Sequence, residues 1–371
     1  MKIWDRVRKE SGRVLIDSFF KGLSGVTRLA PMAKPEAHGV EVLSNISYGE
    51  PGAKHHLLDV YRPMRRSGPM PVVLYIHGGG FRILSKDTHW IMGLLYARRG
   101  YLVFNINYRL APENPFPAGL KDCCKAYSWA VRNAARFGGS LDQGWILAGE
   151  SAGANLATSL AICSCAPREE VWAREVFETK HPPNAVIAAC GMLQVTNPER
   201  FYRNRLSKHR RLPRWVADRL EEVSASYLRN HEGDANSSKL SPKSFTSSSK
   251  NSSASNSKSN PASSFKNNSE NSSENKILEL ADPLVMLEKG FKADHKLPPF
   301  FAPVGTCDPL LDDTRRLKKA LDRLNVFCLP RYYPREAHAF MAFVWRKQAR
   351  LCWQETFDFL SWVRKRCRKS C

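Results

Sequence analysis

A serine stands in Gly149-Glu150-Ser151-Ala152-Gly153, directly after the apolar run Trp145-Ile146-Leu147-Ala148 and ahead of an Ala/Leu-rich stretch, 152–165. The run reads as a buried strand and the stretch as a helix. A serine on such a turn is lifted above the sheet, with a helix N-terminus beside it to meet developing negative charge. Glycines two residues to either side let neighbouring backbone pass without a Cβ in the way. Such a serine can attack a carbonyl, provided that a base and an acid are brought to it. Ser151 is therefore the candidate nucleophile.

His77-Gly78-Gly79-Gly80-Phe81 follows the strand-like PVVLYI (71–76). A glycine run there frees backbone N–H groups for a substrate oxygen. The expected oxyanion donors are Gly78, Gly79 and, from the serine turn, Ala152. A phosphate-binding loop is the competing reading, and the absence of a following Gly-Lys-Ser/Thr counts against it. His77 reads as a turn-stabilising residue rather than the base.

Acid and base are expected downstream, in the chain order serine, acid, histidine. FFAPV (300–304) runs into Gly305-Thr306-Cys307-Asp308, and a strand over 326–333 runs into Ala337-His338. Loops at the C-terminal ends of strands are where open α/β sheets hold their ligands. Asp308 is thus the expected acid and His338 the expected base. Asp312 and Asp313 are rival acids, in a place where a helix over 314–324 would use them as caps. His181 and His295 read as surface-loop histidines.

The elements that must position these groups alternate along the chain. Strands are predicted over 57–61, 71–76, 101–106, 145–148, 184–190, 299–304 and 326–332, and helices over 90–99, 121–137 and 152–165. Near-continuous apolar strands alternating with helices imply a mostly parallel sheet covered on both faces. Residues 3–29 carry apolar positions three, four or seven apart, the pattern of an amphipathic lid or packing helix. Residues 235–276 are almost entirely Ser, Asn and Lys, too poor in apolar side chains to offset the entropy of ordering, and are expected to be a disordered insertion.

The chain has 371 residues, 43% of them hydrophobic and 10% aromatic, ample for a core. Its net charge of +22 gathers near the N-terminus, around 200–219 and in the tail 364–369. That excess favours loose attraction to anionic surfaces, including peripheral contact with an anionic membrane. No nucleic-acid module accompanies it, so no specific nucleic-acid partner is expected. The ten cysteines have no zinc-site spacing and read as reduced structural thiols. Asp17 interrupts the only apolar stretch near the start, so no signal peptide is read. With no apolar window of about 18 residues, the expected address is cytoplasmic.

HGGGF (77–81), YRLAPENPFPA (108–118), GESAGANLA (149–157), GTCDPLLDD (305–313) and the AHAF around His338 together resemble the hormone-sensitive-lipase-like branch of α/β-hydrolases, which includes acetyl esterases and arylacetamide deacetylases. The resemblance covers roughly 55–195 and 280–350. It implies an α/β-hydrolase fold: an eight-stranded, mostly parallel sheet covered by helices, with a helical lid. The lid would join residues 1–45 to a basic helical block, 196–234. The core would occupy 46–195 and 277–363, interrupted by the insertion 235–276, and 364–371 would form a basic tail. In 108–118, Arg109 and Glu113 are available for a structural ion pair. The chain departs from the family in its insertion, its tail and Ala339, where a glycine commonly follows the histidine.

The implied function is hydrolysis of small carboxylic esters, of short to medium acyl chain, through an acyl-enzyme on Ser151, with no metal or organic cofactor required. Three rivals remain: a membrane-tethered interaction protein using the basic ends, an amidase or deacetylase using the same triad, and a non-catalytic ligand-binding protein on the same fold. The presence of His338 argues against the last.

Overall fold

The computed structural model describes residues 34–203, 205–207, 210–229 and 277–367. The expected N-terminal amphipathic helix, the Ser/Asn-rich insertion and the last residues of the basic tail lie outside them.

Strands β1 (Val40–Ser47), β2 (Leu57–Pro63), β3 (Val72–Ile76), β4 (Leu102–Ile106), β5 (Trp145–Glu150), β6 (Ala185–Ala189), β7 (Phe300–Gly305) and β8 (Cys328–Tyr333) form one sheet in the order β1-β2-β4-β3-β5-β6-β7-β8. The pairings β1 with β2 and β2 with β4 are antiparallel, and every other pairing is parallel. The strand count and the parallel majority agree with the sequence expectation. β1 straddles the expected boundary at residue 45. It is an edge strand, half-exposed along most of its length, and its mixed sequence VEVLSNIS carries a weaker signal than the apolar runs of the centre.

β3 and β5 are apolar throughout because helices cover both faces. Val72, Leu74 and Ile76 point into a core shared with α2 (Ala118–Asn133) and α3 (Ala152–Cys165). Val73 and Tyr75 point the other way, to α1 (Trp90–Ala97) and the long helix α7 (Lys347–Cys367). α7 runs through the expected core/tail boundary at 363, so the tail begins as helix. α4 (Val171–Glu178) and α6 (Leu311–Arg323) complete the covering layers.

Further helices lie between β6 and β7 in the chain. Here α5 (Arg214–Tyr227), within the expected basic block, lies on the glycine loop after β3. Phe81 stacks on Tyr227 with centroids 3.8 Å apart, Arg82 pairs with Glu222 at 2.9 Å, and a Cβ on Gly80 would come within 2.9 Å of Val223 Cγ2. In 108–118 the ion pair of Arg109 is with Asp122 on α2, at 2.7 Å. Asp122 is buried on the inner side of that helix, a long-range partner that sequence proximity could not indicate.

Candidate active site

β5 ends at Glu150 and α3 begins at Ala152, leaving Ser151 alone on the turn at φ 56°, ψ −119°. A non-glycine residue held there is strained, and such strain persists only where the surroundings over-determine it. They do so here. Ser151 N–H donates to Ala189 O at 2.9 Å and Ser151 O accepts from Met192 N at 3.2 Å. A Cβ on Gly153 would lie 2.1 Å from Ile76 O, so only glycine lets α3 start this close to β3. Ser151 itself is partly exposed.

Asp308 follows β7 and His338 follows β8, so parallel pairing of these strands brings both loops to one end of the sheet. His338 Nδ1 lies 3.0 Å from Asp308 Oδ2 and 3.1 Å from Oδ1. Asp308 is fully buried, and its Oδ1 also accepts the Leu310 N–H at 2.8 Å, which fixes the carboxylate. Burial pulls the His338 pKa down, but the facing Asp308 and the adjacent Cys190 more than offset this and hold it well above the ordinary histidine value. Among the described residues no hydrogen bond closes between His338 and Ser151 Oγ. The rival acids are used elsewhere. Asp313 is buried, accepts Leu193 N–H at 2.9 Å and pairs with Arg200 at 2.7 Å, and both Asp312 and Asp313 lie inside the first turn of α6 rather than capping it.

The glycine loop departs from expectation at one residue. Gly78 is buried and its N–H donates to Glu150 Oε1 at 2.7 Å. This amide is engaged, which removes Gly78 as an oxyanion donor in this arrangement. The Gly79, Gly80 and Ala152 amides make no protein hydrogen bond among the described residues, and Gly79 and Gly80 are partly exposed.

Glu150 itself is 4% exposed, and the sequence reading gave it no role. Its Oε1 also lies 2.7 Å from His89 Nε2, and its Oε2 accepts from Tyr75 O–H. Burial raises the Glu150 pKa, yet His89, Tyr75 and the Gly78 amide together bring it below the ordinary value. Burial lowers the His89 pKa, and Glu150 overcomes this and raises it. The two lie in contact, and each favours the charged form of the other. The only sequence signal was a carboxylate placed at the variable position of the serine turn.

His77 stabilises the turn: it stacks on Tyr108 at 4.3 Å, its Nδ1 lies 2.7 Å from Gly78 O, and its own carbonyl accepts from Tyr108 O–H at 2.9 Å. Burial, aided by nearby His89, pushes its pKa down to about 3, so it stays neutral. His181 is exposed, while His295 is half-buried and stacked on Phe177.

Residues 73–255 match a family model described as alpha/beta hydrolase fold. The chain has the α/β-hydrolase fold. It is similar to versiconal hemiacetal acetate esterase of Dothistroma septosporum, 35% identical over 147 residues, which is 39% of this chain and 42% of that protein. It is also similar to carboxylesterase NlhH of Mycobacterium tuberculosis, 34% identical over 158 residues, 40% of this chain and 49% of the relative. The chain spans less than half the length of these curated relatives. Brefeldin A esterase, titled a bacterial homologue of human hormone sensitive lipase, superposes with a TM-score of 0.63 at 21% identity, over 97% of this chain and 86% of that one. At that identity the likeness shows the α/β-hydrolase fold alone. Among the described residues no helix is long and apolar enough to cross a membrane.

Proposed function

We propose that this α/β-hydrolase cleaves carboxylic esters of short to medium acyl chain, with Ser151 as nucleophile, His338 as base and Asp308 as the acid that orients it. One observation carries the reading: a strained, partly exposed serine turn shares the end of the sheet with a His338–Asp308 pair 3.0 Å apart. Nδ1–H donation to Asp308 leaves Nε2 as the proton acceptor. A hydrogen bond from Ser151 Oγ to Nε2 then closes in the substrate complex, where catalytic contacts that are long in the free enzyme commonly form.

In the first step Ser151 Oγ attacks the ester carbonyl, His338 takes its proton and passes it to the leaving alcohol. Water, activated by the same imidazole, releases the acid in the second step. The oxyanion is received by the Gly79 and Ala152 amides, with Gly80 in the place first expected for Gly78. Glu150 contributes by holding Gly78, and through it the loop, at a fixed distance from the serine turn. Val223 of α5 against Gly80 narrows the space above the loop, which supports small acyl groups. The esterase names of its relatives support the same substrate class.

The test is a p-nitrophenyl ester series of increasing acyl length, run beside the matching anilides. Turnover that peaks at short or medium esters is expected. Turnover of the anilides alone would replace the ester reading with an amidase, and turnover of neither would overturn both.

A further inference from the structure

Cys190 follows β6 directly, is fully buried, and takes no part in the hydrolysis proposed above. Its thiol lies against the His338 imidazole, close enough to bias the titration of both groups. One potential ligand atom from each of Cys190, Asp308 and His338 lies within 4.8 Å of the other two. Thiolate, imidazole and carboxylate are the donor types Zn²⁺ takes. Tetrahedral bonds of about 2.0–2.3 Å put ligand atoms about 3.3–3.8 Å apart. The 3.0 Å between His338 Nδ1 and Asp308 Oδ2 has to open by a few tenths of an ångström, and an edge at the 4.8 Å limit would have to close by about one. One thiolate and one carboxylate neutralise a divalent ion, so the complex carries no net charge into this buried place. The His338 side chain is 35% exposed and gives the ion a way in from the cleft.

We propose that Cys190, Asp308 and His338 form a binding site for Zn²⁺ or a similar borderline-soft divalent cation, and that occupation turns the catalytic base off. A water completes the tetrahedron. No electron is transferred, and the proton balance explains the inhibition. The Cys190 thiol loses its proton to solvent. The metal takes the Nδ1 lone pair of His338, so the ring proton moves to Nε2. An imidazole with its proton on Nε2 and metal on Nδ1 has no lone pair left to accept the Ser151 proton. Metal binding stands on the cluster alone, and only the inhibition rests on the ester hydrolase reading.

The full chain is titrated with Co²⁺ alone as a spectroscopic stand-in, following thiolate-to-cobalt charge-transfer absorption. In parallel, Zn²⁺ is titrated into the ester assay and removed with a chelator. A one-equivalent band is expected in the wild type, in Ser151→Ala and in Cys307→Ser, and its loss in Cys190→Ser and in His338→Asn. Should Cys190→Ser fail to fold, His338→Asn, altered at a partly exposed side chain, gives the same answer. Zn²⁺ inhibition should be reversible, with potency falling roughly 10–100-fold or more in Cys190→Ser, the range found when even an outer partner of a metal ligand is lost. No band in the wild type, or a band that survives both Cys190→Ser and His338→Asn, overturns the site. A band without ester turnover supports the site and sinks the hydrolase reading, so the two failures are distinct.

Discussion

The two flanks of Ser151 are built on different principles. On the oxyanion flank, Glu150 is buried and saturated: Gly78 N–H, His89 and Tyr75 all converge on one carboxylate, and His77 and Tyr108 stack beneath the loop. On the base flank, His338 is partly exposed on a short loop, held through Nδ1 by Asp308 and touched by a single thiol. The difference matches the two tasks. Oxyanion donors act by being fixed before charge develops, whereas the base must shift between serine, leaving group and water. A buried carboxylate held by several donors suits the first task, because losing a donor leaves its charge uncompensated.

Replacing Asp308 tests the base flank most severely. Asp308→Asn should lower kcat about 10⁴-fold, the scale seen when a triad acid is neutralised. The pH profile carries a second signature. On the proposed mechanism His338 acts as a neutral base, and Asp308 holds its pKa well above the ordinary value, so wild-type kcat/KM should still be rising where an ordinary histidine has finished titrating. In Asp308→Asn the acid limb should move to lower pH. A limb that stays in place would detach Asp308 from the base.

On the oxyanion flank a smaller loss is expected, because Glu150 acts through Gly78 rather than on the substrate. Glu150→Ala should lower kcat about 10²-fold, the cost of misplacing a catalytic group by about 1 Å, with KM changed little. An equal loss in Tyr75→Phe would be too large for one hydrogen bond to Glu150, and would point to a general loosening of the loop.

The last effect concerns stability. His77 titrates near 3 in the folded protein and near 6.5 unfolded, so between those pH values the unfolded chain binds a proton that the native state does not. Stability should fall with acid across that window, by up to about 1.4 kcal/mol per pH unit from this residue. His338 has the opposite sign. Its raised folded pKa gives stability that is present below about 6.5 and lost as pH rises through the folded value. Denaturant unfolding of His77→Gln should flatten the acid slope and leave the alkaline behaviour in place. An unchanged acid slope would mean that His77 is not the residue taken up.

Much of the frame was legible because burial on both faces writes itself as apolar runs: the central strands β3, β5 and β6 appear in the sequence almost at their observed bounds, and α3 over 152–165. The loops carrying Asp308 and His338 were legible for the same reason, since each follows a strand end. What could not be read were partnerships across the chain. Nothing near Gly78 in sequence says that its amide is taken by Glu150, and nothing near Glu150 names His89 or Tyr75. Asp122 taking Arg109 is a further case. Cys190 looked like one more buried thiol until the fold set it beside His338. The edge strand β1, half-exposed and mixed in composition, lost part of its length to a boundary drawn by composition alone.

The central claim is that Ser151 is the nucleophile, and covalent labelling tests it most directly. Wild type and Ser151→Ala are incubated with a fluorophosphonate, and the modified peptide is located by mass spectrometry. The account predicts one stoichiometric adduct, on Ser151, with no labelling of Ser151→Ala. Undiminished labelling of Ser151→Ala, or an adduct on another residue in the wild type, would contradict it.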